Sequence, residues 1–340
     1  MFIACGASAG VAAGFEAPIA AVFFALEVIQ PLQRGGRDSV FISRGSITYV
    51  LLSSAVASLI TRTILSERLS FKVAEYDLAS PLVELPLYLG LGLLAGALAL
   101  AFKAAASFFA TAFNGTAPGC RAMQTFPPAL KPALAGLACG AVGLYFPQVL
   151  FFGYATLDSI LADTDTLSVG YLALLCVVKL YLTAFCAASG LVGGTFAPSL
   201  FLGATAGAAY HSVVAVGVAS AAGALVDLQT SLGVEPGAWG ILPQLQVAGA
   251  PAYAMVGAAS VLAGLFNAPL TSALLMFELT RDYDIILPLM ASAGLASLIA
   301  NQPLPPPLPP ATPAPAIHVA GRMASTASPT ANATGRPPEP

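Results

Sequence analysis

The sequence predicts an all-α, polytopic membrane protein: a duplicated helical bundle whose helices are broken inside the apolar layer. Three observations predict it. Hydrophobic residues make up 57% of the 340 and charged residues only 9%, at a mean hydropathy of +0.84, whereas a soluble domain carries roughly a quarter charged residues. Long apolar runs recur at 2–29, 46–61, 85–113, 132–152, 169–192, 196–226, 253–280 and 285–300, several exceeding the roughly 20 residues that span a bilayer. Finally, Gly14-Phe15-Glu16-Ala17-Pro18-Ile19, closed by Glu27, returns 251 positions later as Leu265-Phe266-Asn267-Ala268-Pro269-Leu270, closed by Glu278. Phe, Ala, Pro and Glu recur in register. Each copy is an apolar approach, a Phe-x-Ala-Pro break, a second apolar stretch and one carboxylate, the pattern of a duplicated membrane element.

The chain opens at Met1 directly into the first run, without a basic leader. That run continues through the first copy, so the small residues Gly6 to Gly10 do not read as a cleavage site; the start reads as part-way through a longer fold. The segments 46–65 and 85–113 read as crossings. They place Arg34, Arg37, Arg44, Arg121 and Lys131 on one side of the membrane and Asp158, Asp163 and Asp165 on the other. The positive-inside rule makes the first side cytoplasmic or its equivalent, opposed by Arg62, Arg68 and Lys72 between the two crossings. The segment 153–168 reads as an extramembrane loop, and Gly and Ala spread through the runs suit helices that pack through small residues. From Gln302 onward, eight prolines by position 315 exclude a helix. A transmembrane domain over 1–301 and a disordered tail over 302–340 are therefore expected.

Five cysteines lack ligand spacing, and neither His211 nor His318 pairs with a cysteine or acidic cluster. Neither a metal site nor a cofactor is predicted. The net charge of -3 suggests no nucleic-acid partner.

Chemistry is concentrated in Ser189-Gly190-Leu191-Val192-Gly193-Gly194-Thr195-Phe196-Ala197-Pro198. The glycines end one helix, and Pro198 suits the first turn of the next. Such a break leaves free backbone N–H groups at the new helix start, around Thr195 to Ala197, which the apolar layer cannot hydrate. The positive end of the helix dipole then favours an anion, without any lysine or arginine. Glycines that merely let helices approach closely are the competing explanation.

With the motif around Gly194 to Gly203, the two Phe-x-Ala-Pro elements, Tyr145-Phe146-Pro147-Gln148-Val149-Leu150 and Tyr283-x-x-Ile286-Leu287-Pro288-Leu289, the sequence from about Ile3 to Asn301 resembles the CLC chloride channels and chloride/proton antiporters. The resemblance implies an inverted-repeat bundle with re-entrant helices, in a homodimer with one pore per subunit. Chloride, and other small anions, would be the substrate, bound at Gly194, Thr195, Phe196, Ala197 and Pro198, with the amides of Thr195 and Phe196 donating. Two family motifs expected upstream, Gly-Ser-Gly-x-Pro and Gly-Arg-Glu-Gly-Pro with its gating glutamate, are absent. So are the pore tyrosine expected after Asn301 and the CBS pair. A membrane domain incomplete at its N-terminus is therefore expected, and a non-conducting fragment that at most assembles with intact subunits is the alternative to a chloride transporter.

Antiporters of the family commonly carry Glu-Glu where this chain has Glu27-Val28. Valine carries no proton, which favours a channel-like mechanism. Glu27, and Glu16 at the first helix break, are the candidates for gating or a proton pathway, although a position at a helix end also fits a structural role for Glu27 and Glu278. Lys179 reads as a packing lysine.

Overall fold

The computed structural model describes residues 1–29, 44–64, 81–116, 120, 122–151, 153–162, 167–231 and 247–301. The described residues form helices joined by turns and irregular segments, without strands. The proline-rich tail, together with Arg34, Arg37, Arg68, Lys72, Arg121, Asp163 and Asp165, on which the sidedness expectation rests, lies outside them.

Both Phe-x-Ala-Pro elements are breaks of the same geometry. Helix α1 (Phe2–Phe15) ends at Glu16, left-handed at φ 52°, ψ 26°, and α2 starts at Pro18 after Ala17 at φ −114°, ψ 77°, running to Phe24 and on through a π-helical turn to Ile29. The second copy repeats this: one helix ends at Phe266 with Asn267 left-handed at φ 52°, ψ 40°, and the next starts at Pro269 after Ala268 at φ −128°, ψ 70°. Proline provides no N–H and fixes its own φ, so it opens the second helix at low cost.

Between them the chain forms α3 (Arg44–Ile64), α4 (Pro81–Phe113), the one-turn α5 (Ala122–Thr125), α6 (Leu130–Tyr145), α7 (Tyr154–Leu161), α8 (Val169–Ala188) and α9 (Phe196–Ser231). The second copy comprises α10 (Ala250–Phe266) and α11 (Pro269–Thr280), and α12 (Ile286–Ala300) follows. Among the described residues, four helices are long and apolar enough to cross a bilayer, over Ile47–Ile64, Glu84–Phe113, Val169–Ala188 and Phe196–Ala224; the others are shorter.

Within the apolar run 132–152, α6 stops at Tyr145 and a 3-10 turn follows over Pro147–Val149. One expectation needs correction. Part of the segment 153–168, read as an extramembrane loop, is α7, which buries Thr156, Leu157, Ile160 and Leu161. Eight residues are too few to register as an apolar run.

The core is arranged around α10, buried from Pro251 to Gly264 and packed against α4, α7, α9, α11 and α12. Its closest partner is α9, where the two backbones touch: a Cβ added at Gly203 would fall on the Gly257 carbonyl, and one at Gly207 on the Tyr253 carbonyl. Such packing through small residues replaces the hydrophobic driving force absent in lipid. Gly203→Ala is expected to destabilise the protein by about 1–3 kcal/mol through overpacking. Gly217→Ala in the same helix, where nothing lies within 4 Å of the added Cβ, should be neutral or slightly stabilising. Thermal unfolding of both variants in detergent tests the contrast.

Candidate functional site

The two repeat copies cap each other. The Glu278 carboxylate at the end of α11 accepts hydrogen bonds from the amides of Ile19 (3.0 Å) and Ala20 (2.8 Å) in the first turn of α2. The Glu27 carboxylate at the end of α2 accepts from the amides of Leu270 (3.2 Å) and Thr271 (2.8 Å) in the first turn of α11, and from the Thr271 hydroxyl (2.6 Å). Ile19 and Leu270 are equivalent positions in the two copies, as are Ala20 and Thr271, so the exchange obeys the internal pseudo-symmetry. Each carboxylate meets the unsatisfied amides and positive dipole end of a broken helix.

A third carboxylate does the same work. Glu84, fully buried in α4, accepts from the Ala248 amide (3.2 Å) at the entrance to α10 and from the Tyr253 hydroxyl (3.4 Å). Lysines serve the opposite ends. Lys103 donates to the Gly264 carbonyl (2.8 Å) near the end of α10 and to the Ala300 carbonyl (2.9 Å) closing α12. Lys131 donates to the Phe113 carbonyl (2.7 Å) at the end of α4.

The start of α9 differs. Thr195 accepts from the Ser199 amide through its carbonyl (3.1 Å), but the described residues supply no acceptor for the amides of Phe196 and Ala197. Pro198 has no N–H to satisfy. The Phe196 ring is clasped by aromatic rings from both repeat copies: Phe15 at 4.8 Å and Phe266 at 5.5 Å between centroids, with Phe24 at 5.9 Å. Phe15 and Phe266 are again equivalent residues, so both helix breaks converge on the start of α9. Thr195 and Phe196 are half-buried, Ala197 and Pro198 buried, and Gly193 and Gly194 exposed. A cavity of about 390 Å³ adjoins this segment, lined by Gly193, Gly194, Thr195 and Pro198 on one side and by Lys179 on another.

Of the residues that the sequence singles out, Gly194 to Pro198 therefore gather at one helix start beside a cavity. Glu27 lies elsewhere, with both oxygens engaged as a cap. Glu16 sits half-buried at the first break, with no hydrogen-bond partner among the described residues. Glu84 and Lys103 give no signal in the sequence, because a lone charge in an apolar run does not reveal which helix end it meets.

A sequence profile described as voltage gated chloride channel matches residues 1–301. The chain is 38% identical over 303 residues to chloride channel protein CLC-e of Arabidopsis thaliana, covering 88% of this chain and 39% of that protein. It is 29% identical over 308 residues to the H⁺/Cl⁻ exchange transporter ClcA of Vibrio parahaemolyticus, covering 89% of this chain and 57% of that protein. The fold is similar to that of a slow cyanobacterial Cl⁻/H⁺ antiporter, at a TM-score of 0.60 and 24% identity, over 88% of this chain and 60% of that structure. The chain thus spans well under two thirds of the length of these proteins.

The capping geometry gives Glu27 and Glu278 equal structural weight. Glu27→Ala and Glu278→Ala are each expected to destabilise the protein by about 1–3 kcal/mol, the cost of losing hydrogen bonds to a charged acceptor. Glu16→Ala, without a bond to lose, should stay within about 0.5 kcal/mol. Equilibrium unfolding of the three variants in detergent checks the order.

Proposed function

Because this chain belongs to the voltage gated chloride channel (CLC) family, we propose that it moves chloride across a membrane past the start of α9, in a channel-like manner without proton coupling. The observation that carries this reading is the pair of amides at Phe196 and Ala197. They lie at the positive end of a long helix with no acceptor among the described residues, while the starts of α2 and α11 are each served by a carboxylate. A fixed carboxylate at α9 would exclude an anion; its absence leaves the amides to a mobile one. Neutral amides bind chloride weakly, as conduction requires, since an ion held too tightly does not leave.

The channel-like part rests on Glu27 and Val28. Both oxygens of Glu27 are occupied at the start of α11, so protonating it would remove acceptors from that helix, and Val28 beside it has no titratable group. Proton movement through this position has no carrier that is free of a structural duty. A homodimer, as the family resemblance implies, is part of the same proposal.

Gly194 provides a clean test. An added side chain there meets nothing within 4 Å, so Gly194→Val should fold with unchanged thermal stability while placing a methyl pair at the mouth of the amide site. Chloride efflux from proteoliposomes is expected to fall at least about tenfold, equivalent to roughly 1.4 kcal/mol at the barrier. Efflux at the unsubstituted rate, from a stably folded variant, overturns the assignment. Proton uptake driven by a chloride gradient through the unsubstituted protein would overturn the uncoupled mechanism alone.

A further inference from the structure

Lys179 is the buried cation that the caps do not explain. It is 3% exposed in the middle of α8 and donates to the carbonyls of Val149 (2.6 Å) and Phe151 (2.8 Å). Phe151 is held left-handed at φ 51° with its side chain 91% exposed, so the turn presents its carbonyl to the lysine and leaves its ring outside. The ammonium also lies 5.4 Å from the centroid of the Phe201 ring.

These contacts solvate the charge without cancelling it. Lys103 and Lys131 sit on carbonyls at the ends of α-helices, where the dipole is negative. Val149 ends a 3-10 turn of three residues and Phe151 lies beyond it, so neither brings a helix dipole of consequence. Among the described residues lining the cavity, none is an aspartate or glutamate. Burying an ammonium is costly unless an anion or further hydrogen bonds compensate. Two carbonyls use two of its three N–H bonds, and the described residues supply no acceptor for the third. Across the same cavity stand Gly193, Gly194 and Thr195, which lead into the unserved amides of α9. A full charge and the residues that flank a helix start, Thr195 and Pro198, therefore line a single cavity, together with Thr183.

We propose that this cavity is a weak binding site for a small monovalent anion, with Lys179 as its fixed countercharge, from which the amide site at the start of α9 is loaded. The assignment rests on the chloride-transport reading for its ligand. It adds a place and a charged residue. The carbonyl partners and the position on the wall make Lys179 a source of field, which concentrates anions, while the neutral amides keep the binding segment itself weak.

The cavity contains its own reporters. Cys139 of α6 and Cys186 of α8 line it together with Lys179 and are partly accessible. In protein with Cys5, Cys120 and Cys176 replaced by serine, the rates of modification by an anionic and a cationic methanethiosulfonate reagent can be followed by intact mass spectrometry. Each rate is normalised to that of free 2-mercaptoethanol. The anionic reagent is expected to react roughly tenfold faster than the cationic one, the scale of one partly screened unit charge. Replacing gluconate by chloride at constant ionic strength should slow the anionic reagent. Lys179→Met should abolish both effects and Lys179→Arg retain them. Charge-blind rates, or rates indifferent to chloride, overturn the proposal on the lysine-containing protein alone, so it stays falsifiable even if Lys179→Met does not fold. Chloride protection with efflux indifferent to Gly194→Val would uphold this anion site and refute the transport reading; charge-blind thiols with efflux that responds to Gly194→Val would refute only the Lys179 site.

Discussion

Breaking a helix inside a membrane leaves amides that neither lipid nor water can satisfy, each costing several kcal/mol if left alone. This protein breaks its chain twice by the same device and pairs the breaks, so that the carboxylate closing one copy satisfies the helix start of the other. Glu278 serves Ile19 and Ala20, and Glu27 serves Leu270 and Thr271. Neither break is self-sufficient. The arrangement holds α2 and α11 against each other, which places Phe15 and Phe266 on either side of Phe196. The position of the α9 start therefore depends on a reciprocal bond between residues more than two hundred positions apart.

The rule extends to other charges in the bundle. Glu84 serves the entrance to α10, while Lys103 and Lys131 serve the ends of α10, α12 and α4. Acids at helix starts and lysines at helix ends let these charges oppose a dipole, lowering the cost of burial on both sides. Against that pattern the start of α9 is defined by what is withheld from it. Its sequence offers glycines on the approach and a phenylalanine, an alanine and a proline in the first turn, none of which brings an acceptor side chain.

Much of this was legible in the sequence because glycine and proline act locally. Pro18, Pro269, Gly190, Gly193 and Gly194 mark breaks wherever they occur in an apolar run, and the recurrence of Phe, Ala, Pro and Glu at one offset shows that two breaks are alike. The break residue itself was less transparent: Glu16 and Asn267 share a left-handed backbone although only asparagine favours it. The exchange between copies was hidden, because an offset shows that Glu27 corresponds to Glu278 but not that each serves the other's helix. Lys179 is buried as a packing lysine would be, but its acceptors were hidden for the same reason. Its neighbours on α8 contain no partner, whereas its carbonyl acceptors lie some thirty positions back. Short α7 escaped because its apolar face of four residues packs laterally against α9 and α10 and forms no run.

The same capping logic bears on how an anion could move without a proton. A carboxylate that relays protons must spend time neutral, and a neutral Glu27 would accept less strongly from the amides of Leu270 and Thr271, loosening the helix start that positions Phe266. Coupling at that residue would oppose transport to the integrity of the break. A second carboxylate in the next position would escape the conflict, since it could titrate while the first remained a cap. This chain has Val28 there. Its capping carboxylates are thus engaged at helix starts, while Lys179 lines the cavity that adjoins the approach to α9. On the reading proposed above, such a site attracts an anion through fixed charge and backbone dipoles, and a proton relay at Glu27 would work against the cap that holds α11.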